Sequence, residues 1–202
     1  MTSADQKTIL HRYLRSGRDA LLWKLDGLSE YDVRRPMTPT GTNLLGLVKH
    51  VASVTDGYLG AVMGRPSGID LPWYPEDPAD EEPNADLWVP VEESREFIVD
   101  LHHRVAAHAD ATIEALELDA PGQVPWWGEQ GEVTLHRVLV HVIAETHRHA
   151  GHADIIRELI DGSAGLREGM DNIWAEDGAD YWARHRQRIE DAARAAQESA
   201  GA

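Results

Sequence analysis

Four long stretches carry apolar side chains at helical spacing, and nothing between them alternates convincingly with the period of two that a strand requires. The first, from Ser3 to about Gly27, repeats Ile9, Tyr13, Ala20, Leu21, Trp23 and Leu25, with Asp5 near its start and Gly27 near its end. The second runs from about Asn43 to Met63, with Leu44, Leu47, Val48, Val51, Val54, Tyr58 and Val62 on one stripe and Thr42 or Asn43 placed to cap it. The third, about Val91 to Leu116, begins beside Glu92 and Glu93, whose charge suits a helix N-terminus. The fourth spans Thr134 to about Ile160 and stops at Gly162. A last helix, polar and rich in alanine, is expected over about Ala179 to Gln197. This pattern predicts an all-α fold, a four-helix bundle with long loops and an extra C-terminal helix.

Two loops interrupt the pattern. "GRPSGIDLPWYPEDPADEEPNADLWVP" (64–90) is rich in proline and acid but carries Trp73, Tyr74, Leu87 and Trp88; it reads either as a lid over a site or as a surface loop pinned by its aromatics. "ELDAPGQVPWWGEQGEVT" (117–134) holds a second aromatic knot at Trp126 and Trp127. A short strand pair inside either loop is compatible with its sequence.

With 202 residues the chain suits one cored domain, assigned to residues 1–165, followed by a C-terminal extension, 166–202, with a peripheral helix. A formal charge of −16, from 35 acidic and 19 basic residues, argues against general attraction to nucleic acid or to an anionic membrane. There is no cysteine, so a thiolate ligand, a cysteine nucleophile and a disulfide are all excluded, and a bound metal must rely on His, Asp or Glu. The N-terminus shows no leader pattern and no segment is apolar over the ~18 residues of a membrane span, so a cytoplasmic address is the default expectation.

The segment "HVIAETHRHAGHADIIREL" (141–159) raises the functional question, because it places His141, Glu145, His147, His149 and His152 on one helix. Successive residues turn by ~100°. Against the apolar line Leu135, Val138, Val142, Ala153, Ile156 and Ile160, Glu145 and His149 face the bundle one turn apart, His152 sits on the edge of that sector, and His136 and His147 project to the opposite side. An inward glutamate needs a compensating cation or hydrogen-bond network. Its four-residue spacing from His149 lets both side chains reach one divalent ion, and would equally suit a salt-bridged pair. On the second helix His50 lies beside the apolar stripe, near Leu47 and Val54, and can turn toward a neighbouring helix. His50, Glu145 and His149 would then hold a metal with at least one position left open.

The pairing of "LVKHVASV" with "ETHRHAGHADIIREL" resembles the DinB-like superfamily, in particular its actinobacterial branch related to mycothiol-dependent maleylpyruvate isomerase, over about residues 5–162. The resemblance implies a four-helix bundle whose metal is held by one residue of the second helix and two of the fourth. Carried over by motif, these are His50, Glu145 and His149. It further implies a small-molecule substrate and mycothiol or another low-molecular-weight thiol as cofactor. Zinc and nickel both suit two imidazoles and a carboxylate. The isomerase itself has a further C-terminal domain, which the short tail after the fourth helix does not match, so maleylpyruvate is not carried over.

Three functions follow. In the first, a metal-dependent enzyme performs S-transfer or thiol-assisted isomerisation, the sulfur arriving with the cofactor because the chain has none to offer as a thiol. In the second, a hydrolase uses water as nucleophile, with His152 as the catalytic base. The third is a non-catalytic metal- or ligand-binding bundle, as a homodimer. His152 is alternatively a group behind the ligands, or an edge histidine that helps pack Gly151. Trp73, Trp88, Trp126 and Trp127 would wall the pocket or anchor loops, and Asp154, Arg157 and Glu158 read as a helix-surface charge pattern.

Overall fold

Each of the four long bundle helices begins at a side chain able to satisfy its free N–H groups. In the computed structural model, which describes residues 2–75, 77–80, 82–170 and 178–200, α1 (Ser3–Leu22) starts on a capping box between Thr2 and Asp5. The short α2 (Glu30–Arg34) is capped by Ser29, α3 (Leu44–Leu59) by Asn43, α4 (Arg95–Ala115) by Ser94 and α5 (Leu135–Asp161) by Thr134. Gly162, at φ +82°, ends α5 in the left-handed conformation that glycine tolerates best.

α1, α3, α4 and α5 form the bundle, with α1 packed on α5 and α4, and α3 packed on α4 and α5. Two apolar clusters fill it. One is built on Leu21, Leu45, Val48, Ile98, Leu101 and Ile156, the other on Leu14, Leu59, Ile113, Leu135, Leu139 and Val142. Between α1 and α5 the backbones approach at Gly17, where a Cβ would stand 3.0 Å from the His147 ring, and His147 Nε2 donates to the Tyr13 carbonyl at 3.0 Å. His147 thus faces α1, on the side of α5 away from His50.

Several boundaries differ from the sequence expectation for local reasons. The first helix gives way after Leu22 to a 3-10 turn (Trp23–Leu25), and the second gives way after Leu59 to another (Ala61–Met63). The third begins at Arg95, because Ser94 takes the cap and Glu93 is drawn aside to pair with Lys49 at 2.8 Å. The second aromatic loop contains a strand pair, β1 (Pro121–Gln123) with β2 (Glu132–Thr134), antiparallel with Gly122 opposite Val133. It leads directly into α5.

Of the charges near the end of α5, Glu158 is exposed as expected, whereas Asp154 and Arg157 do not belong to a surface pattern. Arg157 is buried and donates from Nη1 to the carbonyls of Lys24 and Asp26, at 2.9 and 2.8 Å, and from Nη2 to Asp161 at 2.7 Å. Lys24, fully buried, pairs with Asp154. The turn after α1 draws Arg157 inward, because its Lys24 and Asp26 carbonyls need donors that the helix no longer supplies.

The chain divides into two compact units, Met1–Asp171 and Asn172–Ala202. The second contains α6 (Gly178–Ala200), a polar helix supported by pairs one turn apart, Gln187 with Asp191 and Arg194 with Glu190, each at 2.8 Å. Among the described residues no helix is long and apolar enough to cross a membrane.

Candidate metal centre

His50 on α3 faces Glu145 and His149 on α5. Glu145 Oε1 lies 2.9 Å from His149 Nε2 and 3.6 Å from His50 Nε2, and the two imidazoles meet edge to face with centroids 4.7 Å apart. One ligand atom from each of the three lies within 4.8 Å of the others. Two nitrogens and one carboxylate oxygen converging in this way fit a divalent ion of the zinc or nickel type.

The electrostatics suit the same role. Burial would push the Glu145 carboxyl up, but the hydrogen bond and charge of His149, followed by those of His50, outweigh it and hold the group below its ordinary value. Burial pushes the His149 imidazole down, and the Glu145 hydrogen bond only partly restores it. An ionised carboxylate beside a neutral imidazole is the protonation state that metal ligation needs.

His50 has a further partner that the sequence pattern does not reveal. Its Nδ1 is 2.6 Å from Oδ2 of Asp86, in the 64–90 loop, and the Tyr74 hydroxyl donates to the same oxygen at 3.2 Å. Burial raises the Asp86 carboxyl, but the bond and charge of His50 and then the bond from Tyr74 prevail and lower it. Asp86 is one of several acids in that loop, and nothing local marks it out. The only signal was the loop's combination of acids with aromatics.

His152 stands behind the pair, with Nδ1 3.4 Å from Nδ1 of His149. Both line a cavity of about 630 Å³ with Thr40, Thr42, Leu87 and Trp88. A Cβ on Gly151 would meet nothing within 4 Å, so the packing role for His152 has no neighbour to serve. The four tryptophans divide. Trp88 lines this cavity, Trp73 is buried with its indole N–H on Ser53, and Trp126 and Trp127 group with Tyr58 and His141 one to two turns along the same two helices. The 64–90 loop is therefore pinned by Trp73 and also reaches the site.

A family model described as mycothiol-S-transferase matches residues 9–162. The chain belongs to the mycothiol S-transferase family. The family lies within the DinB-like actinobacterial group, and the matched span runs from within α1 to the end of α5 and includes every residue of the centre. No curated protein matches the chain.

Proposed function

We propose that this member of the mycothiol S-transferase family is a metal-dependent transferase that joins a low-molecular-weight thiol, mycothiol in the first instance, to a small electrophilic molecule. The observation that carries the reading is the convergence of His50, Glu145 and His149 within a chain of that family. These three residues would hold zinc or nickel.

A divalent ion held there would supply Lewis-acid chemistry, lowering the pKa of a thiol so that a thiolate could form near neutral pH. The chain's own residues do the rest. His149 is kept neutral by burial against the pull of Glu145, and Glu145 is kept ionised by His149 and His50 against the effect of burial. His152 and His149 approach each other through their Nδ1 atoms, 3.4 Å apart. His152, on the cavity wall, is the group placed to accept the thiol proton. The cavity walls contribute hydroxyls from Thr40 and Thr42, the Trp88 ring and the Leu47 and Leu87 side chains, and among the described residues that line it there is no lysine or arginine. Sulfur then bonds to the electrophilic carbon as the leaving group departs.

The test is a cobalt-substituted protein titrated with mycothiol. Sulfur-to-cobalt charge-transfer absorption, together with consumption of an alkylating acceptor only when thiol is present, is expected. Ester or amide turnover without thiol would replace this reading with hydrolysis, and tight small-molecule binding without any turnover would replace it with a binding bundle.

A further inference from the structure

The turn at residues 84–88 is docked on one face of α3. Asn43 Nδ2 donates to the Leu87 carbonyl at 3.2 Å, Lys49 Nζ donates to the Trp88 carbonyl at 3.1 Å, and His50 Nδ1 meets Asp86 at 2.6 Å. Between them lies Gly46, where a Cβ would stand 2.0 Å from the Leu87 carbonyl oxygen. Residues 43, 46 and 50 follow one another at about one helical turn, so the first two turns of α3 offer a continuous seat for this piece of loop. Any side chain at 46 would unseat it. The turn itself is entered through Asn84 at φ +64°, the one non-glycine position among the described residues in the left-handed region.

A loop anchor could use either nitrogen of His50. Asp86 takes Nδ1, the nitrogen directed away from α5, while Nε2 faces Glu145. An ionised carboxylate at that distance fixes the ring proton on Nδ1 and leaves the lone pair on Nε2, where Glu145 and His149 converge. We infer that Asp86 is a positioning residue: it selects the tautomer and orientation that make His50 a donor, and the seat formed by Asn43, Gly46 and Lys49 exists to deliver it. The outer side of the same turn, Asn84, Leu87 and Trp88, lines the cavity, so a molecule bound there presses on the element that orients His50.

This inference rests on the metal reading of His50 but is tested separately from it. In the metal-free protein, ¹⁵N spectra, with the His50 signal assigned through its loss in His50→Gln, should show Nδ1 protonated, and Asp86→Ala should abolish that preference with far-UV circular dichroism unchanged. Zinc affinity, measured by competition with a chromophoric chelator, should fall about 10–100-fold in Asp86→Ala and less in Asp86→Asn, which keeps an acceptor oxygen. Gly46→Ala, which alters no donor, should weaken zinc as well. A proton on Nε2 in the wild-type protein would overturn the inference, as would an Asp86→Ala variant of lowered thermal stability with zinc affinity within twofold of wild type. Failure of the wild-type protein to take up zinc or nickel would refute the metal reading, and the tautomer measurement would still decide whether Asp86 orients His50.

Discussion

Nε2 of His149 lies 2.9 Å from Oε1 of Glu145, one helical turn earlier on α5. Two neighbouring side chains of one helix are thereby committed to a common point, and His50 of α3 meets them there. Loss of any one donor should therefore cost more metal affinity than loss of an outer hydrogen bond, whose removal typically costs about 10–100-fold. Purified His50→Ala, Glu145→Gln and His149→Ala, checked by elemental analysis, should contain far less than stoichiometric metal while retaining helical circular dichroism.

Trp88 is exposed enough to offer its ring to the cavity beside His149 and His152. An aromatic contact of this type contributes about 0.5–1.5 kcal/mol beyond burial. Trp88→Ala should raise KM for the acceptor several-fold and leave metal content unchanged, measured by initial rates at saturating thiol.

His102, on α4, is buried with Nδ1 unpartnered, and burial, then Arg18 and His103, push its imidazole down to about 3 from 6.5. The folded protein keeps this ring neutral while the unfolded chain protonates it below about pH 6.5, so the unfolded state binds more protons and stability falls as pH drops from there toward 3. Urea midpoints of wild type and His102→Leu should diverge in favour of the variant between pH 7 and pH 5, by an order of about 2 kcal/mol at ~1.4 kcal/mol per pH unit. A constant difference across that range would show that His102 does not titrate on unfolding.

Arg157 satisfies two carbonyls that follow α1 and also binds Asp161. An ammonium group cannot reproduce that planar fork. Arg157→Lys should destabilise the protein nearly as much as Arg157→Ala, by about 1–3 kcal/mol for the groups left unsatisfied, read from urea unfolding.

The bundle is legible in the sequence because burial imposes a 3.6-residue period on Leu44 to Tyr58 and on Leu135 to Ile156, and because Asn43, Thr134 and Gly162 announce the ends. The encounter of Glu145 with His149 follows from spacing alone, and that of His50 with them from the helix face it occupies together with the family pattern. Asp86 is not legible. It lies 36 residues from His50 in a segment without periodicity, and its role depends on how Gly46 lets the loop backbone settle on α3. Arg157 escapes for a related reason: its helix position reads as polar, and only the tertiary path of Lys24 to Asp26 turns that position inward. Local pattern encodes which face a residue occupies, whereas a loop's destination is set by the assembled whole.

The distribution of the three converging side chains between α3 and α5 has a consequence for assembly. A chain with its helices formed but not yet locked together would still carry the Glu145–His149 pair, while His50 would be elsewhere. If the proposed ion binds there, its capture by all three is a gauge of native closure, and a chelator would then loosen the seam between those two helices before it melted either one.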